Sequence, residues 1–137
     1  MRHWAVKYIG MPYSLGARGP KKVDCWGLLW LIYKNDFNIE LPQYPGIALA
    51  SMVVVNSSIR QAVQSDWVEV EKPFDGAAVG MGYRNALHHV GIWAGPDGGK
   101  VVHSWQGHNA VADTLAAIGQ KGLQNVKFFK HIKWPTS

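Results

Sequence analysis

The sequence predicts an α+β domain in which helices come first and the main helix packs on a mostly antiparallel sheet. Three observations predict it. The stretch from Cys25 to about Lys34 is apolar almost all round and follows Asp24, a residue type that caps helices. The second half carries short segments with strand patterning, separated by Gly, Pro and Asp. Those segments follow one another through turns, with one helix interposed, which is not the alternation of a parallel α/β sheet.

The elements run as follows. Residues 2–9 predict a short helix that offers Trp4, Val6 and Ile9 for packing. Gly10-Met11-Pro12 ends it, because a residue before proline avoids helical geometry. Residues 13–23 form a loop containing Gly16, Gly19 and Pro20. Asp24 then caps the apolar helix. Gly27 within it costs up to about 1 kcal/mol against Ala, and its missing side chain lets a backbone or a substrate come close.

Leu41 to Gly46 reads as an extended connection, and residues 57–65 as a helix capped by Asn56 or Ser57. Residues 67–71 alternate like a strand with one wet face. Asp75-Gly76 marks a turn before a strand over Ala77 to Met81. His89 to Ala94 is the third strand, and residues 95–99 (Gly-Pro-Asp-Gly-Gly) are a hairpin turn. Lys100 to Trp105 returns antiparallel. Asp113 is placed to cap a helix over 114–121, and Val126 to Trp134 is the last strand.

The 137 residues suit one domain spanning 1–137, with one sizeable core. No repeat, low-complexity segment or linker interrupts it. The formal charge of +5 reads first as a solvated surface, and second as an attraction to anionic polymers in general. Its basic residues are scattered, with Lys21-Lys22 and Lys127 to Lys133 as loose clusters, and no nucleic-acid motif accompanies them. A single Cys excludes an internal disulfide and any cysteine-rich zinc site. Met1-Arg2-His3-Trp4 lacks a signal-peptide pattern, and no stretch is long enough to span a membrane. The expectation is a chain with no export address of its own, and no cofactor or metal.

Cys25 leaves two readings open. It is either a small core residue beside Trp26 and Leu28, or a thiolate favoured by the N–H groups and positive dipole of a first helical turn. A thiol nucleophile needs a base, usually His. Alternation puts His89, Gly91 and Trp93 on one strand face. Pairing 93 with 101 and 91 with 103 makes His103 a diagonal neighbour of His89 on that face, with Gly91 leaving room. His103 could then orient His89. The pair alone could also be a polar strand face or part of a metal site, but no nearby carboxylate or thiol has ligand spacing. His88 points away from His89 in a regular strand, and His3, His108 and His131 read as solvated surface residues.

These residues together resemble the NlpC-type cell-wall peptidases, which are papain-like cysteine peptidases. The resemblance lies in Tyr8-Ile9-Gly10-Met11-Pro12-Tyr13, Asp24-Cys25-Trp26-Gly27-Leu28, Leu41-Pro42, His89-Val90-Gly91-Ile92-Trp93 and Val102-His103-Ser104. It covers nearly the whole chain in the family's order and spacing. It implies a papain-like fold with Cys25 as nucleophile, His89 as general base and acid, and His103 as the polar residue that orients it. It implies that Tyr13 positions substrate or stabilises the oxyanion, and that Asp24 caps the helix and balances charge. The implied substrate is the stem peptide of bacterial peptidoglycan, cut typically between D-glutamate and a diamino acid.

The chain also departs from the family. Trp26 stands where the family often has Ser, and the expectation is that its ring shapes a wall of the cleft. Phe74-Asp75-Gly76 replaces a common Pro-Gly-Asp. The segment Tyr44 to Glu71 and the final strand resemble the branch found in phage tail proteins. That branch implies virion-borne delivery to the periplasm or wall, with other phage tail-tip proteins as partners. The competing expectation is a structural or wall-binding tail-tip module without hydrolytic activity.

Overall fold

The computed structural model describes residues 3–14, 16–17, 19–41, 66–83, 86–95, 99–105 and 108–134. The expected connection over 42–46 and the expected helix over 57–65 lie outside them.

The first element is a 3₁₀ turn, Trp4–Tyr8. With three residues per turn, Ala5 and Tyr8 share the inner face. They are the buried residues, while Val6 and Ile9 face solvent, contrary to the expected packing. The main helix α1 runs Cys25–Asp36, two residues beyond the expected end, and closes at Phe37, whose N–H donates to Tyr33 O. Seven of its residues are buried, as an all-round apolar sequence requires.

Among the described residues, six strands form one antiparallel sheet: β1 (Trp67–Val70), β2 (Ala78–Tyr83), β3 (Ala86–Ala94), β4 (Lys100–His103), β5 (Val111–Asp113) and β6 (Gln124–His131). The order β1-β6-β2-β3-β4-β5 is a meander from β2 to β5. The last strand then returns across it and inserts between β1 and β2. β5 has no counterpart among the expected strands, because three residues carry too short a pattern to recognise. On β1 the wet face is wider than expected: Trp67 is buried, but Val68 is exposed as well as Glu69.

A short helix α2, Leu115–Gln120, follows β5. Its cap is Thr114, whose hydroxyl accepts from Ala117 N, and not Asp113 as the sequence suggested. The strands separate two apolar clusters. Val90, Ile92, Val102 and Phe129 pack with α1, while Val79, Met81, Trp93 and Val101 pack with Ile118 of α2. His131 belongs inside and not on the surface: it is 3% exposed, with its ring edge-on to Trp67 at 4.6 Å.

Candidate active site

The start of α1 is tied down by Asp24. One carboxylate oxygen, Oδ1, accepts from Gly27 N at 2.7 Å, capping the helix; the other, Oδ2, accepts from Gly16 N at 2.9 Å. The N–H of Asp24 donates to Ala17 O at 3.1 Å. The preceding loop is therefore strapped across the first turn. Gly27 makes this possible: a Cβ there would stand 2.0 Å from Ala17 O. The close approach foreseen at Gly27 is thus made by backbone, and Asp24 acts as a cap with both oxygens committed inward.

Cys25 is the first residue of α1 and is half-buried. Tyr13 stands beside it, on a backbone bridge parallel to Val23. Burial, followed by the charges of a Cys25 thiolate and of Asp24, pushes the Tyr13 hydroxyl up to about 12. It keeps its proton at neutral pH and can donate a hydrogen bond. Trp26, in contrast, is 2% exposed and lies in the α1 core cluster. The expected cleft wall is corrected: an inward-facing second residue supports the helix from beneath.

Two contacts fix the direction of α1 over the sheet. Tyr33, near its C-terminal end, donates from its hydroxyl to Gly76 O at 2.6 Å, and Gly76 N donates to Trp93 O at 2.8 Å. At the other end, Ser104 Oγ donates to Val23 O at 3.3 Å. The C-terminal half of α1 therefore lies near the end of β3, and its start lies at the end of β4. Cys25 is delivered to the same end of the sheet as His103 and His89.

The histidine pair forms as its spacing predicted. β3 and β4 pair with Trp93 opposite Val101 and Ile92 opposite Val102. His89 Nε2 and His103 Nδ1 are 2.8 Å apart, with the rings nearly perpendicular. His89 is 8% exposed and His103 is fully buried. A Cβ at Gly91 would meet Val102 O at 2.8 Å and His103 Cβ at 3.1 Å, so the glycine is needed for the contact. Burial holds His89 well below the usual imidazole range, helped by His103, His88 and Lys121. His103 is also lowered by burial, against the opposing pull of Asp113. His88 is the extra residue where the β2–β3 register shifts, between the pairs Met81–His89 and Gly82–Leu87.

Three residues at the site escaped the sequence reading. Asp113 Oδ2 lies 2.7 Å from His103 Nε2 and also pairs with Lys121 Nζ. Burial raises the Asp113 carboxyl, but the bonds from Lys121 and His103 outweigh it and hold the group below the usual carboxylate range. Trp105 sets its ring 5.2 Å from His89, covering the pair. The signal for Trp105 was available, since extending the β3–β4 register places residue 105 opposite 89. Asp113 and Lys121 depend on β5 and α2.

The helix with a cysteine at its start, packed on an antiparallel sheet that carries a histidine pair, defines a papain-like α+β domain. A profile of the NlpC/P60 family matches residues 10–126, and the chain belongs to that family. It is 29% identical over 98 residues to the probable endopeptidase p60 of Listeria grayi, covering 72% of this chain but only 16% of that protein. Among solved structures it is similar to the NlpC/p60 domain of the peptidoglycan hydrolase SagA (TM-score 0.61, 21% identity, 91% of this chain and 92% of that one). It is also similar to a lipoprotein-like NLP/P60-family protein of Staphylococcus aureus (TM-score 0.54, 20% identity, 90% and 38%).

Proposed function

We propose that this domain is a cysteine peptidase that hydrolyses amide bonds in peptidoglycan stem peptides through a Cys25 acyl-enzyme. The observation that carries the proposal is the 2.8 Å bond between His89 and His103 at the end of the sheet where α1 begins with Cys25. The bond engages Nε2 of His89 and leaves Nδ1 for the thiol. Nδ1 takes the proton from Cys25, and sulfur attacks the amide carbonyl carbon. Tyr13 and the first-turn backbone face the developing oxyanion. The C–N bond breaks as the His89 imidazolium gives its proton to the leaving amine. Water, deprotonated by His89, then attacks the thioester and releases the Cys25 thiol.

The finer assignment is an endopeptidase acting between D-glutamate and a diamino acid, delivered to the wall by a phage tail. The motif resemblance supports the first part. The second is supported by the likeness of the segment Tyr44 to Glu71 and the last strand to the phage-tail branch. Purified peptidoglycan digested with wild type and with Cys25→Ala, followed by mass spectrometry of the muropeptides, tests both the activity and the bond. New free amino termini on the diamino acid are expected with wild type only. Equal products from the two proteins would remove Cys25 as nucleophile.

A further inference from the structure

The sheet face that carries His89 and His103 continues onto β5. His103 stands opposite Val111, and Asp113 stands opposite Val101. Asp113 is therefore a diagonal neighbour of His103, just as His103 is of His89. One oxygen of Asp113, Oδ2, receives both His103 Nε2 and Lys121 Nζ.

The proton positions follow from this geometry. A carboxylate only accepts, so His103 donates from Nε2. A neutral imidazole has one N–H, so Nδ1 of His103 accepts. The 2.8 Å contact is then donated by His89 Nε2. Nδ1 of His89 is left with its lone pair, the form that a general base requires. Both rings are held neutral at pH 7 by burial.

We infer that Asp113, held in place by Lys121, is a positioning residue that sets the tautomers of His103 and His89 and so makes Nδ1 of His89 the proton acceptor. This rests on the reading of Cys25 and His89 as nucleophile and base. Without Asp113, His103 can carry its proton on Nδ1, facing His89. His89 then turns its own proton to Nδ1, where it blocks uptake from the thiol. Where a carboxylate fixes the tautomer of the base directly, its loss costs roughly 10⁴-fold in kcat. One ring further away, a loss on the order of 10²-fold in kcat/KM is expected.

The test combines tautomer and turnover. Long-range ¹H–¹⁵N NMR on the neutral-pH protein is expected to show Nε2–H on both His89 and His103. Asp113→Ala is expected to give mixed tautomers and the 10²-fold loss. Asp113→Asn is expected to keep the Nε2–H forms and lose less than about tenfold, because two donors converge on one oxygen and select the amide oxygen over its NH₂. Removing a half-buried carboxylate that holds two partners can cost the fold, so the parent spectrum and Asp113→Asn decide in that case. Nδ1–H on either ring of the parent would overturn the inference. So would a folded Asp113→Ala with parental tautomers and turnover, even if Cys25→Ala abolishes cleavage. If the wild type cleaves no peptidoglycan, the proposed function fails while the spectra still decide the tautomers.

Discussion

Gly91→Ala puts one methyl group between the two strands that hold the histidine pair. The added Cβ would lie 2.8 Å from Val102 O, where ordinary contact begins at 3.4 Å, so backbone must yield by about 0.6 Å. It would also lie 2.7 Å from Cγ1 of the fully buried Val101. Overpacking of this kind costs roughly 1–3 kcal/mol. At about 3–6 °C per kcal/mol for a domain of this size, a fall of roughly 6–12 °C in Tm is expected for the middle of that range. The same displacement would stretch the His89–His103 bond from 2.8 Å toward about 3.4 Å, beyond the normal range. Turnover is expected to fall more than tenfold at temperatures where the variant is folded. Gly119→Ala is the matched comparison. Nothing lies within 4 Å of its added Cβ, and it sits in α2, so a gain of about 0.4–1 kcal/mol is expected. Thermal melts and kcat/KM on a muropeptide measure both. If Gly91→Ala melts with the wild type and keeps its turnover, the close approach of β3 and β4 is not what assembles the pair.

Three further outcomes follow from the same contacts. His89 and His103 are held below their ordinary value of 6.5, so the unfolded chain binds protons that the folded chain does not. Stability should be full above about pH 6.5 and fall below it, by up to about 1.4 kcal/mol per pH unit for each ring, in urea titrations at pH 7, 6 and 5. Asp24→Ala should lower stability by about 2–3 kcal/mol, since it removes a cap and strands Gly27 N in a buried site, while Asp24→Asn should lose less; urea midpoints would show the order. Trp26→Ser, which installs the family's common residue, should cost on the order of 3–5 kcal/mol through the cavity it leaves. A stable Trp26→Ser with altered bond preference would return Trp26 to the cleft wall.

Much of the fold was legible because local rules and burial agreed. Asp24 before an all-apolar run gave the start of α1 to the residue, and the Gly-rich stretch 95–99 gave the β3–β4 register in full. Legibility ended where a position depended on distant chain. The slot of β6 between β1 and β2 is set by what the two sheet faces must cover, not by any pattern within residues 124–131. His131 looks like a surface residue in a basic stretch, and only the pairing of Trp67 with it turns its ring inward. Trp26 turns inward for a related reason: the sequence shows that it follows Cys25, but the contacts of Gly16 and Ala17 over the first turn decide which side is outer.

Asp113 shows the same boundary most sharply, because two local rules competed there. Asp113 and Thr114 are both good caps, and they are adjacent. The choice rests on whether residue 113 is still strand, and three residues are too few to say so from pattern. Once β5 exists, the diagonal argument that found His103 from His89 finds Asp113 from His103 in the same way. The three side chains stand on three successive strands, one face, each two positions off the direct partner. A cap at Thr114 then starts α2 so that Lys121, the residue just past its end, reaches back to the same carboxylate oxygen. The cap at Thr114 and the place of Asp113 in the site are therefore one event. A chain that caps with Thr114 keeps Asp113 available to orient the histidines, and a chain that capped with Asp113 would not.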